Sequence, residues 1–169
     1  SLALDRLLVF EEPKIGRQYA IGIDTADGLD NPEEERSALE VTLAAKGNNP
    51  DIQVAEFTSR RINPAQMVGF AAAIGAWYGQ KCRDPRGVKW CIEQRSRPGD
   101  DCQHQLKLMG FLWHHKMTRY DDAKVKEKGS KEGWYSSPWS VTFLMNRYIE
   151  AVNNGFYKIN SPFQISECK

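Results

Sequence analysis

The sequence predicts one α/β domain built around a mixed β-sheet that is flanked by helices. Three short strand-like segments, separated by turn signals, come before the first helix-like segment, which favours an antiparallel meander. After them, helix-like and strand-like segments alternate, which favours parallel strands with helices packed against the sheet. With 169 residues, the chain is long enough for one such domain with a sizeable core.

The predicted meander starts with a short apolar segment. Residues 19–23 (YAIGI) predict a strand that ends at Asp24. Residues 25–36 are rich in Asp, Gly, Pro and Glu, which is typical of a loop. The second and third strands are predicted at 37–44 and 51–57, on either side of a Gly-Asn-Asn-Pro turn signal.

The second half of the chain begins with a helix signal. Asn63 is a good N-cap and Pro64 suits the first helical position, and an apolar face continues to about Gly79. Residues 88–93 (VKWCIE) alternate between apolar and polar, which predicts a strand that ends at Glu93. The remaining predicted elements are a helix at 98–108, a strand candidate at 111–115, a loop or hairpin at 120–133, a helix at 138–153 and a last strand candidate at 156–159.

This order of elements is that of the RNase H-like fold. In that fold the first and fourth strands are parallel neighbours, and adjacent strands lie about 4.8 Å apart. Asp24 ends the first predicted strand and Glu93 ends the fourth. We therefore expect the two carboxylates to meet at one end of the sheet.

Two carboxylates held that close repel each other unless a cation lies between them. Their hard oxygen ligands suit Mg²⁺ or Mn²⁺. With two ions about 3.5–4 Å apart, one activates water and the other stabilises the leaving oxygen of a phosphodiester. Asp24 and Glu93 are therefore the candidate catalytic and metal-binding residues. Taken singly, an Asp after a strand is typical of a turn, and a Glu at a strand end is typical of a solvated charge.

Charge, cysteine spacing and hydropathy limit the classes of protein and partner that the sequence allows. The net charge of +1 does not by itself predict nucleic-acid binding, although basic residues cluster locally. The four cysteines form no C-x-x-C pair, which disfavours a disulfide framework or a zinc ribbon and favours reduced thiols in an intracellular protein. No apolar run approaches the roughly 18 residues that a transmembrane helix needs, so a membrane is not a predicted partner.

Four segments resemble the nuclease domain of phage terminase large subunits. Residues 19–28 (YAIGIDTADG) are similar to its opening strand and catalytic Asp, and residues 90–94 (WCIEQ) to its second acidic strand. Residues 133–137 (GWYSS) resemble the Gly-Trp segment before a long helix, and residues 161–167 resemble the family's closing segment, which ends in an acidic residue and precedes a further helix. The resemblance covers about residues 17–167 and depends on the order and spacing of the segments.

The resemblance implies an RNase H-like, metal-dependent endonuclease that cuts concatemeric double-stranded viral DNA. It also implies a packaging ATPase in the same polypeptide, a small terminase subunit and a portal as partners, and action at the procapsid in the host cytoplasm. The chain has no G-x-x-x-x-G-K-[ST] motif of a P-loop. We assign residues 1–18 to an entry or linker segment, and residues 19–169 to a nuclease domain that stops before its last helix.

The family's third metal-binding acid is an Asp on a helix after the segment that 161–167 resembles, so we expect it beyond Lys169. Asp30, on the loop after Asp24, and Glu167 are weaker candidates. Basic residues that are candidates for contacts with DNA phosphates are Arg60, Arg61, Arg95, Arg97, Lys116, Lys124, Lys126 and Lys128.

Two other functions remain open. One is a different RNase H-like nuclease, of the resolvase or transposase type. The other is a module that binds DNA without cutting it, because the third acid is absent.

Overall fold

A computed structural model of the protein describes residues 5–26, 36–94, 97–117 and 131–167. In these ranges the strands are β1 (Arg6–Val9), β2 (Tyr19–Asp24), β3 (Ser37–Leu43), β4 (Asp51–Ser59), β5 (Lys89–Ile92), β6 (Lys116–Met117), β7 (Lys131–Glu132) and β8 (Tyr157–Lys158). The helices are α1 (Pro64–Gly79), α2 (Arg97–Leu108), α3 (Pro138–Asn153) and α4 (Pro162–Glu167). None of the helices in this part of the chain combines the length and apolar character that crossing a membrane requires.

The main sheet is mixed, as predicted from the sequence. Its strand order is β1-β4-β3-β2-β5, and β8 pairs with β4 as its sixth strand. The β1–β4, β3–β4 and β2–β3 pairs are antiparallel, whereas β2–β5 and β4–β8 are parallel. The meander followed by a parallel strand and flanking helices is therefore confirmed. β6 and β7 form a separate antiparallel pair.

Three local predictions need correction. Residues 1–18, predicted as an entry or linker segment, contain β1, which pairs with β4. The strand candidate at 111–115 is wrong, because His114 makes only an isolated bridge to Trp90 and the following strand is β6. The segment at 161–167 contains α4, a helix that the sequence pattern does not predict.

The hydrophobic core lies between one face of the sheet and helices α1 and α2. Tyr19, Ile21 and Ile23 alternate along β2 into this core, and Trp90 and Ile92 do the same on β5. Asn63 caps α1 as predicted: its side chain accepts from the backbone N–H of Gln66 at 2.9 Å. A Cβ atom on Gly75 would lie 2.4 Å from the Trp90 ring, so α1 approaches β5 as closely as glycine permits.

The opposite face of the sheet carries acidic and small residues and is covered in part by α3 and α4. Glu40 on β3 and Glu56 on β4 are cross-strand partners there. The pairing of β3 with β4 shifts by one residue after Val41, so Thr42 faces Gln53. This bulge brings Gln53 onto the face that holds both carboxylates, although simple alternation would point it into the core.

Gln53 fastens the C-terminal segment, residues 157–167, to the sheet. Its Nε2 donates to Glu40 Oε2 at 3.1 Å and to Glu56 Oε2 at 3.3 Å. Its Oε1 accepts from the backbone N–H groups of Asn160 and Ser161 at 3.0 and 2.7 Å. The fully buried amide therefore uses both donors and both acceptor sites.

Each carboxylate also has partners in the C-terminal segment. Glu40 Oε1 accepts from the Tyr157 hydroxyl at 2.5 Å, and Glu40 Oε2 accepts from Gln164 Nε2 at 2.8 Å. Glu56 Oε1 accepts from the Ser161 hydroxyl at 2.8 Å. Burial, followed by the nearby charge of Glu40, raises the pKa of Glu56 above its usual value.

Replacing Gln53 with Leu should destabilise the protein strongly. The change removes donors from two carboxylates and leaves two backbone N–H groups without their acceptor, which costs about 3 kcal/mol or more in unfolding free energy. Chemical denaturation measures this. Gln105→Leu, at an exposed position of α2, is the matched control, and an equal loss in both variants would contradict the structural role of Gln53.

Glu56→Gln should change the pH dependence of stability in one direction. The raised pKa means that the folded protein binds more protons than the unfolded chain above pH 4.5, the usual carboxyl value. The contribution of Glu56 to stability is therefore lost as pH rises through its folded pKa. Relative to Glu56→Gln, the wild-type protein should lose unfolding free energy over the range above pH 4.5, as the pH rises through the raised folded pKa of Glu56. Denaturation across this range, with the exposed Glu150→Gln as a charge-loss control, tests it; parallel curves for wild type and Glu56→Gln would refute it.

Candidate metal centre

Asp24 and Glu93 lie at the carboxyl ends of two adjacent parallel strands. Ile23 on β2 pairs with Ile92 on β5, and the next residues are Asp24 and Glu93. The Glu93 backbone N–H donates to the Ile23 carbonyl at 2.9 Å, which extends the pairing by one residue. The structure thus brings the two predicted site residues to the same edge of the sheet, and their role as metal ligands stays a prediction.

Both carboxylates line a cavity of about 400 Å³ on the polar face of the sheet. Val141 and Leu144 of α3 form part of its wall. Gly22, two residues before Asp24, is part of its lining, and a Cβ atom there would have no neighbour within 4 Å. Asp24 is exposed and Glu93 is half-buried, so the site is open to solvent.

The backbone on either side of Glu93 is held by the segment that precedes α3. Trp134 donates its N–H to the Ile92 carbonyl at 2.8 Å and accepts from the Gln94 N–H at 2.7 Å. These two bonds form the isolated parallel bridge between Glu93 and Trp134. Glu93 is therefore fixed by β2 on one side and by Trp134 on the other.

Two glycines permit this close packing. A Cβ atom on Gly99, in the first turn of α2, would lie 1.9 Å from the Glu93 carbonyl oxygen. Gly133 has a φ of +87°, and a Cβ atom there would lie 2.8 Å from the Ile92 carbonyl oxygen. Both positions exclude any side chain, which explains physically why the segments around Arg97 and Trp134 contain glycine.

The side chain of Glu93 also has a defined partner, since the Ser136 hydroxyl donates to Glu93 Oε1. On the Asp24 side, the chain after β2 is tied to β3: the Ala26 N–H donates to the Ser37 hydroxyl oxygen at 3.0 Å. Ser37 is fully buried. The structure therefore tethers the chain next to both acids.

The donor set suits a hard divalent cation with further ligands from solvent or substrate. Glu40 and Glu56 also line the cavity, but their oxygens accept hydrogen bonds from the C-terminal segment. No group of three His, Cys, Asp or Glu side chains that could hold a metal occurs in the described ranges. Mg²⁺ is commonly bound by one or two carboxylates together with water and substrate phosphate oxygens. Asp24 and Glu93 fit that requirement for one ion, and the two-ion arrangement stays a prediction.

The predicted DNA-contacting residues occupy different places. Arg60 and Arg61 directly follow β4, at the same edge of the sheet as Asp24, because Thr58 pairs with Ala38 and Ala38 pairs with Asp24. The other two described candidates lie elsewhere: Arg97 is the exposed first residue of α2, and Lys116 on β6 lies 3.9 Å from the Glu132 carboxylate. None of the four described candidates lines the cavity.

Several candidates lie outside the described residues, namely Asp30, Arg95, Lys124, Lys126 and Lys128. Glu167 is the last residue of α4, and its side chain is also outside the described set. These candidates stay predictions from the sequence.

Some residues of the cavity were not predicted from the sequence. Glu40, Glu56, Ser136 and Gln164 all line it. A signal for Glu40 was present, because in β3 Ala38, Glu40 and Thr42 alternate with buried Leu39, Val41 and Leu43. That pattern assigns Glu40 to the face of Asp24. The hydroxyl of Ser136 carries no comparable pattern.

Comparison with known proteins gives a likeness of fold. No protein-family model and no curated protein sequence matches the chain. Among solved structures, it is similar to crystal structures of the large terminase nuclease from thermophilic phage G20c with bound cobalt, magnesium and zinc. The identity is 14% in each case. The cobalt and magnesium structures give a TM-score of 0.61, with 94% of this chain and 67% of that chain covered, and the zinc structure gives 0.62, with 99% and 80% covered. The mixed six-stranded sheet with its flanking helices thus has the RNase H-like fold of the large terminase nuclease.

Proposed function

We propose that this chain is a metal-dependent DNA nuclease domain that hydrolyses phosphodiesters of double-stranded DNA. The observation that carries the proposal is the pairing of Asp24 and Glu93 at the ends of β2 and β5, in one open cavity. The likeness in fold to a protein named as a large terminase nuclease, with divalent metals bound, supports it.

In this proposal Asp24 and Glu93 bind Mg²⁺ or Mn²⁺ through carboxylate oxygens. A bound ion supplies Lewis-acid activation of the phosphodiester and of a water molecule. The protein's own contribution is to hold both carboxylates on one rigid sheet edge. The exposure of Asp24 leaves room for a phosphate group to approach from solvent.

Arg60 and Arg61 would bind DNA phosphates on the same edge of the sheet. Contacts of this kind position a duplex without reading its sequence, and they weaken as salt rises. Because β3 separates β4 from β2, these contacts would hold a duplex across the end of the sheet that carries Asp24.

We further propose endonucleolytic cutting of concatemeric viral DNA, with two ions in the complete site. The packaging ATPase of the same polypeptide, a small terminase subunit and a portal would be its partners, at the procapsid in the host cytoplasm. A resolvase-type enzyme would instead prefer branched DNA, and a module that only binds DNA would not cut it.

Asp24→Asn and Glu93→Gln should each abolish most cleavage while the fold survives. Both changes keep the size of the side chain but remove its charge. Loss of residues that merely orient a metal ligand costs about 10–100-fold, so loss of a ligand itself should cost at least about 100-fold. The measurement is the rate of plasmid cleavage with Mn²⁺, alongside unfolding curves.

Glu150→Gln, on an exposed turn of α3, controls for the loss of one carboxylate and should cleave like the wild-type protein. Cleavage at the wild-type rate by both site variants would overturn the proposal. A wild-type protein that shifts duplex DNA in a gel but never cuts it would point to the binding module. Faster cleavage of four-way junctions than of plain duplex would favour a resolvase.

Replacing both Arg60 and Arg61 with Ala should weaken DNA binding and make the binding constant less dependent on salt. The slope of log K against log salt falls by roughly 0.9 for each phosphate that the protein no longer neutralises, so the double variant should reduce it by about 2. Fluorescence anisotropy with a labelled duplex measures this. The matched control replaces Lys81 and Arg83, which lie near the start of β2 at the opposite edge; an equal effect there would refute the assignment.

A further inference from the structure

We infer that Ser136 is a positioning residue for Glu93, and that its hydroxyl decides which carboxylate oxygen faces the metal. The inference rests on the proposed function. Ser136 Oγ donates to Glu93 Oε1, and both residues line the cavity that also contains Asp24. With Oε1 engaged by a hydroxyl, Oε2 is the oxygen that Glu93 directs to an ion beside Asp24.

The backbone of Ser136 is held on both sides. Two residues before it, Trp134 is bonded to the main chain of Ile92 and Gln94. Directly after it, Ser137 is the N-cap of α3, with reciprocal bonds to Ser140 of 3.1 and 2.8 Å. Ser136 therefore sits on a short, doubly anchored connection.

The anchoring at α3 is itself buried. Ser140 has no exposed surface, and its hydroxyl lies 3.0 Å from the Tyr135 carbonyl oxygen, to which it donates. This bond joins Tyr135, just before Ser136, to Ser140, four residues after it. These bonds hold the main chain on both sides of Ser136, so the backbone positions its hydroxyl beside the Glu93 carboxylate.

A donor on one oxygen matters because a carboxylate binds metals in more than one way. A free glutamate can chelate an ion through both oxygens or rotate away from it. Hydrogen-bond donors to a ligand fix its orientation, and their removal typically costs about 10–100-fold in metal affinity. Ser136 also links Glu93 to the start of α3. The position of the Glu93 carboxylate is therefore fixed relative to the cavity wall that Val141 and Leu144 form.

The test measures Mn²⁺ affinity directly, by calorimetry or by the loss of the free-Mn²⁺ electron paramagnetic resonance signal, on the whole chain without DNA. Ser136→Ala should bind Mn²⁺ about 10–100-fold more weakly than the wild-type protein. Thr142→Ala is the matched control, since it removes an exposed α3 hydroxyl that donates to the Pro138 carbonyl oxygen at 2.8 Å; it should bind like the wild type.

A pair of variants of equal shape keeps the test decisive if Ser136→Ala does not fold. Ser136→Thr retains the donor and should stay within about threefold of the wild type, whereas Ser136→Val should show the roughly 10–100-fold loss expected for a missing partner of a ligand. Equal affinities for the Thr and Val variants, beside a wild type that binds Mn²⁺, would overturn this inference alone. A wild-type protein that does not bind Mn²⁺ would overturn both the inference and the proposed function.

Discussion

The parallel pairing of β2 with β5 is the constraint on which the candidate site depends. It aligns Ile23 with Ile92 and so puts Asp24 and Glu93 at the same level of the sheet and on the same face. A slip of one residue would turn Glu93 towards the core and point Ile92 into the cavity, because side chains alternate along a strand. Trp90 opposes such a slip, since its ring fills the space that Gly75 leaves in α1.

Burial and hydrogen bonding distinguish the carboxylates that hold the C-terminal segment on the sheet from Asp24 and Glu93, the candidate metal ligands. Glu40 and Glu56 lie under the C-terminal segment, and donors from Gln53, Tyr157 and Ser161 compensate their burial. Buried charges without such partners would be costly, so these two acids are committed to holding β8 and α4 on the sheet. Asp24 and Glu93 lie nearer solvent, where a cation can reach them. The C-terminal segment thus both covers one end of the cavity and leaves the other end accessible.

The ends of the strands could be predicted from the sequence because each is marked locally, by an apolar run that stops at an acid. Features that depend on the pairing register of the strands could not be predicted from the sequence. Gln53 faces Glu56 only because β4 carries a bulge opposite Val41, and nothing in the composition of β4 announces that shift. β1 has only four residues, and it is recognisable as a strand only through its pairing with β4. At 111–115 the error runs the other way: the composition is typical of a strand, but the segment pairs with the sheet only through an isolated bridge at His114.

The segment before α3 shows why a fold can persist when few residues are shared. Gly133 and Gly99 are required by close backbone approach, and the main chain of Trp134 bonds to Ile92 and Gln94, on either side of Glu93. Such requirements constrain a few positions tightly and leave most others free, which agrees with a common fold at 14% identity. The side-chain bond from Ser136 to Glu93 is different in kind, because it depends on one hydroxyl at one position. The main chain places Glu93, whereas the Ser136 hydroxyl contacts its carboxylate; only the hydroxyl can be removed without changing the main-chain bonds around Glu93.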